Sequence, residues 1–129
     1  WGVNIKPGKP LYYGNFSDDG QVFGLPGNPI SALISFYLFV LPAMQLRQGA
    51  LPSKLGLKCI TAETSCDLVN TGNRPHYLRG RLDQRGCFIQ SSGQSSHDLL
   101  GLSKSTTLVR ISGNGKINLG SMVDAYMLQ

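Results

Sequence analysis

From Ile30 to Leu46 the chain is almost unbroken apolar sequence, and the glycine- and proline-rich stretch Phe23-Gly24-Leu25-Pro26-Gly27-Asn28-Pro29 runs straight into it. The run reads as one long helix. Being apolar on every side, it must pack on more than one surface: a sheet on one side, another element or subunit on the other. A membrane span is the competing reading. The run is slightly short for that, it holds Ser31, Ser35 and Pro42, and it begins with a soluble-type cap, so a buried helix with no membrane span is expected. Pro26 and Gly27 read as a tight turn, Asn28 as the N-cap, Pro29 as the first helical residue, whose missing N–H costs nothing there, and Ser31 as the third. Backbone N–H groups then point outward with a partial positive charge, and Gly27 lets an anion approach them. A tetrahedral oxyanion fits such a start, and so does an ordinary helix beginning. Arg47, Gln48 and Gly49 supply a basic last turn and a C-cap, while Pro42 is expected to bend the helix or shift its final turns.

A second cluster lies upstream. Lys6-Pro7-Gly8-Lys9-Pro10 offers two ammonium groups on a loop stiffened by its prolines. Gly2 to Ile5 reads as the end of a strand delivering that loop. Leu11 to Phe16 and Gln21 to Leu25 read as a hairpin closed by Ser17-Asp18-Asp19-Gly20, and its second strand aims Gly24 to Asn28 at the helix start. Strand ends and a helix N-terminus would then meet at one edge, the usual place for a ligand in α/β units.

The character of the sequence changes at Ala50-Leu51-Pro52-Ser53. The expected organisation is an α/β fragment over residues 1–50, strands plus one long buried helix, followed by a small all-β, barrel-like domain over residues 51–129. Leu57 to Glu63, Tyr77 to Leu82, Cys87 to Ser91, Thr106 to Ile111 and Met122 to Leu128 read as short strands separated by Asp-Gln-Arg-Gly86, Ser-Gly-Asn-Gly115 and Leu-Gly-Ser121 turns. Ser95 to Leu102 reads as one or two capped helical turns. On the second of these strands, alternation puts Tyr77, Arg79 and Arg81 on one face and Leu78 and Leu82 on the other, so two guanidiniums stand side by side. A solvated outer face explains that pattern; so does a bidentate grip on an oxyanion.

Taken together, Lys6-Pro-Gly-Lys-Pro10, Gly24-Leu-Pro-Gly-Asn-Pro-Ile-Ser-Ala32, Arg79-Gly80 and Gln94-Ser-Ser-His97, in that order, resemble the C-terminal part of the molybdopterin molybdenumtransferases, the family of bacterial MoeA proteins and of the E-domains of the plant cofactor-assembly proteins and gephyrin. The resemblance runs from the first residues to Leu128 and makes the chain a fragment. It implies molybdenum cofactor biosynthesis: insertion of molybdate into adenylylated molybdopterin with loss of AMP. In that family the matching arginine and serine face the lysine loop across a cleft, so catalytic roles fall to Lys6, Lys9, Arg79 and Ser96. Pro10, Gly24, Pro26, Gly27, Asn28, Pro29 and Ser31 would bind the pterin phosphate or line its pocket. The resemblance further implies Mg²⁺, with ligands expected upstream of this chain, and a homodimer built partly on the long helix. The chain alone is expected to bind oxyanions weakly and not to turn over. It departs from the family at Arg74-Pro75-His76-Tyr77, where relatives often carry an acidic residue two positions before the aromatic-x-Arg-Gly, and in Gly101 to Thr106.

Composition bounds the alternatives. Twelve Lys and Arg against seven Asp and Glu give a net charge of +5. The basic residues form no run, which favours a small anion over nucleic acid as partner. Cys59, Cys66 and Cys87 have no metal-knuckle spacing, so no metal site is expected within the chain, and no leader segment is visible; both suggest a reducing cytoplasm. Two other functions fit some of these residues: a scaffold or peptide-binding module of the gephyrin type, and a generic oxyanion-binding domain.

Overall fold

The computed structural model describes residues 5–6, 11–16, 20–92 and 104–128. The expected hairpin is present as β1 (Tyr12–Phe16) and β2 (Gly20–Gly24), antiparallel with Tyr12 opposite Gly24 and Phe16 opposite Gly20. Gly24 suits this register, because a side chain there would meet Tyr12 Cβ at 3.1 Å, a tight approach.

The helix follows in three pieces of one rod: α1 (Pro29–Ser35), a π-helical turn (Phe36–Val40) and α2 (Leu41–Arg47). The π-turn is the local effect of Pro42. Proline has no N–H to donate and its ring would collide with the carbonyl of Leu38 in a regular α-helix. The chain widens instead, and the Leu41 N–H reaches back five residues to the Phe36 carbonyl. The rod ends where expected. Gly49 adopts a φ of +89°, its N–H donates to the Leu46 carbonyl at 3.1 Å, and the Ala50 N–H donates to that of Gln45 at 3.0 Å, a Schellman closure.

The remainder is β-structure. Beyond a 3-10 turn (Pro52–Lys54) come β3 (Cys59–Glu63), β4 (Leu68–Val69), β5 (His76–Leu82), β6 (Phe88–Gln90), β7 (Thr107–Ile111), β8 (Lys116–Ile117) and β9 (Met122–Met127). Five of them make an antiparallel sheet in the order β3-β9-β7-β5-β6, and β4 pairs with β8 as a separate ribbon. The sheet curls until its two edges touch: Thr64, just past β3, bridges Phe88 on β6, and the Ser65 N–H and hydroxyl both reach the Phe88 carbonyl, at 2.9 and 2.8 Å. Joining the edges removes unpaired backbone at that end. Inside the curl lie Ala62, Leu68, Leu78, Phe88, Val109, Ile111, Val123 and Ala125.

The long helix is not buried along its length. Ile30 and Ile34 pack on Leu108, with Leu38, Tyr77 and Tyr126 around them, so α1 is seated on the outer face of the sheet. Ile30, Ser31, Ile34 and Ser35 are buried, whereas no residue of the π-turn or of α2 is, and Met44 and Leu46 are exposed. Helix and sheet therefore share a core cluster across residue 50. The Gln45 side chain adds a tie, accepting the Gly56 N–H at 2.7 Å.

Candidate functional site

Lys6 is fastened to β5. Its N–H donates to the Pro75 carbonyl at 2.8 Å and its carbonyl accepts the Tyr77 N–H at 2.8 Å, forming a parallel bridge opposite His76. One residue earlier, the Ile5 carbonyl accepts Arg74 Nη1 at 3.1 Å. The first lysine of the Lys6-to-Pro10 loop is thus held three positions from Arg79, on the strand that carries that arginine. Lys6 itself is exposed.

The two arginines expected side by side differ completely. Arg79 is fully buried, at 0% exposure, while Arg81 is exposed. Alternation places Tyr77 and Arg79 on the same face, and Arg79 stands opposite Leu108, the residue on which Ile30 and Ile34 rest. Helix α1 packs on Leu108 and Tyr77 at this part of the sheet, while Arg81 is exposed. An always-charged guanidinium enclosed this way is costly unless it serves a purpose or a partner. The next position is locked too: a side chain on Gly80 would run into the Phe88 ring and the Ile89 carbonyl.

The helix start is built as the sequence predicts. Asn28 is the N-cap, its side-chain oxygen accepting the Ile30 N–H at 3.0 Å and that of Ser31 at 3.3 Å, with Pro29 at the first helical position. Pro26 and Ser31 are buried; Gly27 and Pro29 are exposed. Gly27 has no atom within 4 Å of the place a Cβ would occupy, so the space in front of the helix start is open.

His76 is the residue sequence reasoning left without a role. It faces the sheet interior opposite Ile111, is only 8% exposed, and its Nε2 has no hydrogen-bond partner. Burial first, then the charges of Lys6, Arg79 and Arg74, lower its pKa to about 4, so the ring is neutral at physiological pH. No motif announces this. The only signal in the sequence is a histidine flanked by basic residues at a strand start.

Among the described residues no three His, Cys, Asp or Glu side chains come together as metal ligands. Two of the described acids are spent on backbone donors: Asp83 accepts the Arg85 and Cys87 N–H groups of its own turn, and Asp67 accepts the Leu119 N–H at 2.7 Å. A hard cation such as Mg²⁺ needs clustered oxygen ligands, so the described residues do not fit it and no step is assigned to it. Lys9, Pro10, Ser96 and the turns expected over Ser95 to Leu102 lie outside the described residues.

No protein-family model matches the chain. Among curated proteins, it is 32% identical over 151 residues to gephyrin of Dictyostelium discoideum, the match covering 98% of this chain and 21% of that protein. It is 35% identical over 111 residues to the molybdenum cofactor synthesis protein cinnamon of Drosophila melanogaster, covering 86% of this chain and 17% of that one. With molybdopterin molybdenumtransferase 1 of Mycobacterium tuberculosis the identity is 32% over 137 residues, covering 98% and 32%. The chain thus spans about a sixth to a third of the length of these relatives. The crystal structure of the molybdopterin biosynthesis moeA protein from Pyrococcus horikoshii superposes with a TM-score of 0.80 at 24% identity over 98% of this chain and 31% of that one. A molybdenum cofactor biosynthesis protein from Pyrococcus furiosus gives 0.79 at 22%, over 98% and 44%. These two share the fold.

Proposed function

We propose, from the premise that this chain belongs along almost its whole length to the molybdopterin molybdenumtransferase family, that it forms the oxoanion-holding part of an enzyme inserting molybdate into adenylylated molybdopterin with release of AMP. The observation that carries the reading is the fastening of Lys6 to β5 beside buried Arg79. Molybdate is a tetrahedral dianion. Lys6 and Lys9 supply ammonium charge, Arg79 a planar two-pronged donor, and Ser31 and Ser96 hydroxyl donors, so oxygen atoms are gripped while the pterin sulfurs displace them. Pro10 stiffens the lysine loop. Gly24, Pro26, Gly27, Asn28 and Pro29 hold the pterin phosphate at the open helix start, a placement supported by the clear space at Gly27 and by the cap on Asn28. Turnover requires carboxylates for Mg²⁺ that the described residues do not bring together.

We place the two-part organisation at residue 50, residues 1–50 serving as the end of a molybdopterin-binding α/β unit and 51–129 as a β-barrel unit. A homodimer through the rod is supported by the exposed apolar side chains of Leu33, Met44 and Leu46. The rod is long and apolar enough to cross a membrane, but its N-cap and the seating of Ile30 and Ile34 on the sheet support a protein-packed helix. Free thiols at Cys59, Cys66 and Cys87 support a cytoplasmic setting.

Thermal unfolding of the chain with molybdate, tungstate, sulfate and phosphate tests the reading. Molybdate and tungstate are expected to stabilise it more than the other two. An equal response to all four, or none, overturns the assignment.

A further inference from the structure

We propose that Ser91 is a further ligand of the oxoanion: its hydroxyl stands beside Arg79 and donates to an oxygen of the bound dianion, with Ser105 as a positioning residue behind it. The inference rests on the oxoanion reading above and adds two residues that the reading does not use.

Ser91 is the neighbour of Arg79 across the strand ladder. On β5 and β6, Gly80 stands opposite Gln90 and Arg81 opposite Ile89, so the next step of the same register sets Ser91 against Arg79. The backbone agrees, the Ser91 N–H donating to the Arg79 carbonyl at 2.9 Å. Residues opposite each other in an antiparallel pair share a face, with Cβ atoms about 5 Å apart. Phe88 lies in the inner core, and alternation from it turns Ile89 and Ser91 to the outer face, which is the face of Tyr77 and Arg79. On its other side Arg79 has Leu108. The buried arginine is therefore flanked by one apolar residue and one hydroxyl residue, and the hydroxyl residue is half-buried.

The hydroxyl is held in place. Ser91 Oγ lies 3.1 Å from Ser105 Oγ. Ser105 belongs to the opposite flank of β5, since the residue after it, Thr106, donates its N–H to the Gly80 carbonyl at 2.9 Å. Strands on either side of a third lie about 10 Å apart, so this contact reaches across β5 at the Arg79–Gly80 step. Either hydroxyl can be the donor of the pair. Beside an anion the order is fixed: Ser105 donates to Ser91 and Ser91 donates to the anion, each bond polarising the next. A side chain already fixed by such a contact loses less freedom when the ligand arrives. The pair thus adds a directed donor to the site without adding charge.

Calorimetric titration with molybdate at several salt concentrations tests this on the wild-type chain, Ser91→Thr, Ser91→Val and Ser105→Ala, with urea unfolding to confirm that each is folded. Threonine and valine share a shape and differ in the hydroxyl. Ser91→Val is expected to bind molybdate about tenfold more weakly, Ser91→Thr within about twofold of wild type, and Ser105→Ala about threefold more weakly. The group removed in Ser91→Val is neutral, so the salt dependence of its affinity is expected to match wild type. Absence of molybdate binding to the wild type overturns the oxoanion reading and this inference together. With wild-type binding intact, three results overturn this inference alone: unchanged affinity in Ser91→Val or Ser105→Ala, equal losses in Ser91→Thr and Ser91→Val, or a flattened salt dependence in Ser91→Val, which would mean that Ser91 acts only by placing the charge of Arg79. Ser105→Ala keeps the test decisive if Ser91→Val does not fold.

Discussion

Gly80 lies flat against the ring of Phe88, in space that no Cβ can share. The pair holds β6 against β5, with Gly80 opposite Gln90, immediately after the buried Arg79. Gly80→Ala is therefore expected to lower stability by about 2–3 kcal/mol in urea unfolding. Gly27→Ala is the contrasting change: with open space around it, it is expected to alter stability by less than ~0.5 kcal/mol while weakening anion binding at the helix start. Equal destabilisation by the two would contradict this packing.

The cap on the helix carries a separable contribution. Removing the Asn28 oxygen orphans two backbone donors, and Asn28→Ala is expected to cost ~1 kcal/mol, with Asn28→Ser or Asn28→Asp restoring most of it. Chemical denaturation of the three variants checks the order.

Arg79 and Arg81 separate charge from geometry. Arg79→Lys keeps a positive charge but loses the planar fork, and molybdate affinity is expected to fall by roughly tenfold or more. Arg81→Lys, on the open end of the same face, is expected to leave it unchanged. Calorimetry on both variants decides; a loss at Arg81 as large as at Arg79 would show that only net charge matters.

His76 also sets a pH dependence of the ligand-free fold. With the folded pKa near 4 and the unfolded value at 6.5, the unfolded chain binds the extra proton between these limits. The stabilisation is complete above pH 6.5 and is lost as pH falls toward 4, by up to ~3 kcal/mol. Unfolding curves of the wild type and of His76→Gln are expected to diverge through that window, the variant showing the shallower decline. Parallel curves would place the ring in water.

The local elements were legible because their signals are local. Asn28-Pro29 marks the helix start and Gly49 its end, and the five longer strands were read within a residue or two of β3, β5, β6, β7 and β9. The ribbon of β4 and β8 was missed because Leu68–Val69 and Lys116–Ile117 are too short for an alternation to show. At the site, period-2 spacing put Arg79 and Arg81 on one face correctly. It could not reveal that one is fully buried and the other exposed, since that depends on tertiary packing rather than on strand alternation. The Lys6–His76 bridge joins residues seventy positions apart through a single backbone pairing, and a pairing that short leaves no periodic trace.

The widened turn at Phe36–Val40 has an outcome beyond accommodating Pro42. Slipping one residue into a helix rotates everything after it by about 100° relative to everything before. A stripe that began in register with the sheet is steered off it, so Met44 and Leu46 look away from the surface that Ile30 and Ile34 grip. One rod thereby carries two apolar stripes aimed in different directions, and replacing Pro42 by a residue that restores regular winding would swing the second relative to the first.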